Sequence, residues 1–119
     1  MNPQYLEKLT GILEHTQNSA ATDSSFHYNQ YFRAVAAYVE GRIFAVYGQF
    51  GFALKLPPQR CAELITAQNG APLRYFPNGH VKKGYMVLPE RTLKESPLIS
   101  QLVTDSIGFV LSSGPRQSA

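Results

Sequence analysis

His15, His27, His80 and Cys61 are the only soft metal-ligand candidates in this chain of 119 residues. Zinc sites hold their ligands at close, repeated spacings such as Cys-x-x-Cys or His-x-x-x-His, and none occurs here. His15 reads as a polar helix residue and His80 as part of a turn. A nucleophilic cysteine needs a thiolate stabilised by a neighbouring cation or histidine. Cys61 instead falls on an apolar stripe with Leu64 and Ile65, which suits a small, inert core residue. There is no Gly-x-Ser-x-Gly elbow, no Gly-x-Gly-x-x-Gly turn and no Walker-type Lys-Ser or Lys-Thr. The expectation is no catalytic residue, no metal, no cofactor and no enzymatic activity. A hydrolase or small-ligand enzyme with a pocket between the first helix and the sheet ranks last, because no polar pair supports it.

Two groups of residues suggest contact rather than turnover. Arg74, His80, Lys82 and Lys83 are interleaved with Tyr75, Phe76 and Tyr85. Cations beside aromatic rings suit phosphates and stacked bases, so weak nucleic-acid binding is the alternative function. The net charge is only +3, and the commoner reading is a solvated hairpin whose lysines guard against edge pairing. The second group is Tyr31, Phe32, Tyr38, Phe44, Tyr47, Phe50 and Phe52. Most should fill the core, although such a set also suits a binding face or homodimer seam. Phe50 lies on a turn, so its ring should pack against something, a second subunit being one option. The candidate interaction surface is therefore Phe50, Arg74, Tyr75, His80, Lys82, Lys83 and Tyr85.

The elements that would carry these residues follow from spacing and punctuation. Asn2 and Pro3 open a helix to about Gln17, with Leu6, Leu9 and Leu13 on one face. Residues 18–30 read as a connector, which Phe26, His27 and Tyr28 pack onto the body of the domain. A first strand spans about Tyr31 to Val39, and Glu40-Gly41 turns the chain into a second, Arg42 to Tyr47. Gly48 to Gly51 is another reversal. Phe52, Leu54 and Leu56 then alternate with Ala53 and Lys55 in a third strand. Pro57-Pro58 opens a second helix, which Asn69-Gly70 ends. Strands follow at Leu73 to Phe76 and Lys83 to Leu88, separated by the loop Pro77 to Lys82. The last helix begins with Ser96 as its cap, since a Thr92-x-x-Glu95 capping box would place Pro97 beyond the first turn. Its stripe is Ile99, Leu102, Val103, Ile107, Val110 and Leu111, and residues 114–119 should fray.

The order is α-β-β-β-α-β-β-α. Tight reversals imply a mostly antiparallel five-stranded sheet, covered by helices in a two-layer α+β domain. The length suits a single domain over 1–119. The apolar fraction of 44% argues against disorder. A single cysteine excludes an intrachain disulfide and fits a reducing cytoplasm. The N-terminus lacks the apolar core of a signal peptide, and no apolar run approaches the ~20 residues of a membrane span.

The segments Ala37–Pro57, AYVEGRIFAVYGQFGFALKLP, and Leu73–Glu90, LRYFPNGHVKKGYMVLPE, resemble the N-terminal domain of the TfoX/Sxy family of competence regulators. The first matches a strand, an acidic-Gly turn, a Phe-Ala strand and a strand ending in Leu-Lys. The second matches an aromatic-x-Pro-x-Gly loop and a tyrosine strand ending in Leu-Pro-Glu. Ser96-Pro97 falls where the family begins its last helix, so Tyr31 to Leu111 is covered. Two features depart from the pattern. Tyr31-Phe32-Arg33-Ala34 replaces a Met-Phe-Gly-Gly-like start, and the chain ends before the helical C-terminal domain of the full regulators. The resemblance implies a regulatory module in transcription of DNA-uptake genes, alongside the cyclic-AMP receptor protein in the family. It would act through a protein partner, either the transcription machinery or a regulator, or through a homodimer.

Overall fold

A computed structural model describes residues 2–15, 26–74 and 81–112, without the side chains of His15, Lys82, Lys83 and Ser96. The described elements are α1 (Pro3–His15), β1 (Phe26–Tyr31), β2 (Ala34–Val39), β3 (Arg42–Gly48), β4 (Gly51–Lys55), α2 (Pro58–Thr66), β5 (Ala71–Arg74), β6 (Val81–Leu88), α3 (Glu90–Leu93) and α4 (Ser96–Leu111). The strands form one antiparallel sheet in the order β1-β2-β3-β4-β6-β5. The fold is α+β, as expected, with six strands among the described residues instead of five. The additional strand comes from the segment read as a connector. Residues 26–31 pair with β2, and the expected strand from Tyr31 is broken by a turn at Phe32-Arg33.

One sheet face is covered by helices. Leu9 and Leu13 of α1, Leu64 of α2 and Ile99, Leu102, Val103, Ile107 and Val110 of α4 meet Val35, Val39, Phe44, Phe52, Leu54, Met86 and Leu88 in one buried cluster. Asn2 caps α1, its Oδ1 accepting hydrogen bonds from the amides of Gln4 (2.8 Å) and Tyr5 (3.1 Å). The register between β2 and β3 shifts so that Ala37 faces Ala45 and Tyr38 faces Ile43. Phe44 is the extra residue of this bulge, and both it and Ala45 turn into the helix-side core. A bulge takes backbone groups out of the ladder. The fully buried Ser106 hydroxyl of α4 lies 3.1 Å from the Phe44 carbonyl and 2.7 Å from that of Lys55. Its one proton serves these two acceptors and fixes α4 across β3 and β4. At the end of α4, Arg42 Nη1 donates to the carbonyls of Val110 (3.3 Å) and Leu111 (3.1 Å), groups a helix leaves unpaired.

Two boundaries differ from expectation for local reasons, and the short helix α3 is additional to it. Gly70 does not supply the left-handed residue that ends α2. Gln68 does, at φ 61, while the amides of Gln68 and Asn69 return to the carbonyls of Ile65 and Leu64. Gly70 is needed for close approach, since a Cβ there would lie 3.3 Å from Leu64 Cβ and from the Val87 carbonyl oxygen. Thr92 caps nothing: it is buried in the short helix α3 and donates to the Asn69 carbonyl at 3.1 Å, beside an Arg91 bond to the Gln68 carbonyl. The cap of α4 is Glu95, one residue before the expected Ser96.

Ser106→Ala should lower unfolding free energy by about 1–3 kcal/mol, the usual cost of leaving buried carbonyls unsatisfied. Gln68→Gly should raise it by about 0.5–1 kcal/mol by relieving a left-handed side chain. Urea midpoints at constant denaturant slope check both.

Candidate functional site

The helix-free face of the sheet closes on its own side chains. Ala34, Ala36, Val46, Ala53, Leu73 and Tyr85 are buried there, in a cluster to which no described helix contributes. Small residues form the floor, and Tyr31, Tyr38, Ile43, Phe50 and Val87 pack around it. Strand alternation produces this division: Val35, Ala37 and Val39 face the helices, while Ala34, Ala36 and Tyr38 face the other way. Burial pushes the Tyr85 phenol well above its ordinary pKa, and the phenols of Tyr31 and Tyr38 are close enough to add to the effect. Lys55 Nζ stands 5.9 Å from the centre of the Tyr85 ring.

Phe50 belongs to this closure. A Cβ on Gly48 would come within 3.0 Å of both Ala34 Cβ and the Phe50 ring. Phe50 therefore lies on the floor beside Gly48, half-buried by its own chain. Tyr85 is only 4% exposed, so its ring presents no face to a base. Arg74 is exposed at the end of edge strand β5, opposite Val81, whereas Tyr85 lies opposite Lys55 on the other side of β6. Lys82 pairs with Leu73 through the backbone, and Lys83 also lies in β6; the side chains of both are outside the described residues, as are Tyr75 and His80.

The groups considered for catalysis are not assembled. Cys61 is half-buried, its Sγ 3.6 Å from the Leu56 carbonyl oxygen, and burial pushes the thiol pKa up. Such a thiol is less ionised than a free cysteine and so a weaker nucleophile. His27 is exposed on β1, and the His15 side chain and His80 lie outside the described residues. Among the described residues, no group of His, Cys, Asp and Glu side chains could hold a metal. A shallow groove of about 310 Å³ runs between the start of α2 and α4, past Pro57, Arg60, Asp105 and Phe109. Its ionic groups are already paired: Arg60 meets Asp105 at 3.1 Å and Glu63 at 2.9 Å, and Gln101 donates to Asp105 at 2.8 Å.

The outstanding surface feature is a residue that the sequence places only within the aromatic set, inside an expected strand. Phe32, at the tip of the β1–β2 hairpin, is 67% exposed and has φ 56. Its ring meets Tyr31 edge-on, with centroids 4.8 Å apart, and Gln30 Nε2 donates to its carbonyl at 3.2 Å. Beside it runs β1, an edge strand among the described residues. The only signal for this hairpin was the change from polar-aromatic alternation in FHYNQY to the unbroken apolar run AVAAYV. The turn itself carries no Gly, Asn or Pro.

No family model matches the chain, and no curated protein or solved structure matches it either. Among the described residues, no helix is long and apolar enough to cross a membrane.

The tyrosine cluster makes a pH prediction. A phenol whose folded pKa is raised keeps its proton when the unfolded chain has lost it. Stability is then full below the ordinary value of about 10 and falls as pH rises through and above it. Urea midpoints measured from pH 8 to pH 11 should fall, and Tyr85→Phe should flatten the fall.

Proposed function

We propose that this chain is a cytoplasmic, non-enzymatic regulatory module that works by protein–protein contact. One observation carries the reading: an exposed phenylalanine held in left-handed backbone at the tip of a hairpin. That conformation costs a non-glycine residue about 1–2 kcal/mol. Glycine or asparagine would adopt it more easily. Strain of this kind persists at contact and ligand sites, where the rest of the fold holds it in place. An aromatic ring presented this way is a ready anchor for a pocket on a partner. The resemblance to TfoX N-terminal domains supplies the context: a partner in the transcription machinery, or a regulator acting on DNA-uptake genes.

Phe32→Gly separates the two sides of this reading. The variant should be at least as stable as the parent by urea unfolding, since strain is relieved. It should lose the partner recovered by affinity capture from the source organism. It should also fail to restore DNA-uptake transcripts in a deletion strain. Unchanged capture together with unchanged transcripts would overturn the proposal.

A further inference from the structure

The two sheet edges are built differently. β5 has four residues, with Pro72 removing a donor, a register break between Pro72 and Leu73, and Arg74 at its end. These are the usual devices against edge-to-edge pairing. β1 has none of them. Its six residues, FHYNQY, carry no lysine, arginine, carboxylate, proline or glycine, and its register with β2 is unbroken. β1 itself therefore offers a two-fold partner no charged side chain, while burial raises the Tyr28 phenol pKa and Glu14 of α1 lies close enough to add to the effect.

We infer that β1 pairs with β1 of a second copy, joining two sheets into one. This rests on the reading of the hairpin as a contact surface and names a second copy, in place of a different protein, as the partner that Phe32 meets. The register follows from the hairpin. A two-residue loop makes its flanking pair, Tyr31 with Ala34, a hydrogen-bonded one. Alternation then turns the N–H and C=O groups of Tyr28 and Gln30 away from β2, toward the edge that no described strand covers. An antiparallel two-fold centred on Asn29 pairs Tyr28 with Gln30 of the second copy, and Gln30 with its Tyr28. About four main-chain hydrogen bonds result. Asn29 meets its own copy at the axis as a non-hydrogen-bonded pair, on the exposed side of the strand. The same register sets each exposed Phe32 beside Phe26 of the other copy, covering a ring that the single chain leaves 67% exposed. Such an interface is isologous and closes, so it gives a dimer and not a fibre.

Light scattering on the full chain at tens of micromolar should give twice the 13.2 kDa chain mass. Asn29→Lys places two charges at the axis and should return the mass to one chain, with an unchanged near-UV circular dichroism spectrum. In a Cys61→Ser background, Asn29→Cys should cross-link the dimer on mild oxidation, and His27→Cys, off the axis, should not. A monomer at every concentration, a dimer untouched by Asn29→Lys, or cross-linking through His27→Cys instead would each overturn the inference. If the protein is a monomer while Phe32→Gly still abolishes capture, the pairing fails and the contact reading stands.

Discussion

A six-stranded sheet presents two faces and two edges, and the described helices cover only one face. Leaving an apolar face to water is unfavourable by roughly 25 cal/mol per Å². The chain meets this constraint by using small residues as a floor and aromatic rings as a cover. Ala34, Ala36 and Ala53 admit Tyr31, Tyr38, Tyr85 and Phe50 over the middle of the sheet. Gly48 is part of the same solution, because any side chain there would displace Phe50. The helix-free face is thus largely used up by folding, and much of the aromatic content serves architecture.

The helical face depends on register. The Phe44 bulge lets consecutive residues, Phe44 and Ala45, enter one core. Its polar cost is met from α4, whose Ser106 supplies the hydroxyl at that point. Arg42, the first residue of β3, satisfies the far end of the same helix. One helix is therefore tied at its middle and its end to β3, and at its middle to β4 as well. β1 joins this body through β2 and through Phe26 and Tyr28, which pack against the helix-side core.

The strands with turn signals were legible because their chemistry is local. Glu40-Gly41 is the expected two-residue turn, with positive φ at both positions (51 and 78). Leu9, Leu13, Leu64 and Ile99 to Val110 read as helical stripes and are buried as such. The β1–β2 hairpin was not legible. Its turn is built from Phe32 and Arg33, residues that disfavour it, so propensity pointed to a continuous strand. The left-handed Gln68 was hidden for the same reason, with a glycine nearby that is present for packing. The places where local preference failed are strained ones, and one of them is the proposed contact. Of the cation-aromatic cluster, sequence proximity joined Arg74 and Tyr85, which the sheet then separates by exposure and by register.

Pairing of β1 with its copy requires the outward amides of β1 to be open in one chain and closed between two. Hydrogen exchange at Tyr28 and Gln30, followed by NMR over a hundredfold range of protein concentration, measures this directly. The account predicts rapid exchange in dilute protein and slow exchange in concentrated protein, with Asn29 unaffected because it bonds to β2 throughout. Exchange at Tyr28 and Gln30 that is equally fast, or equally slow, at every concentration would contradict it.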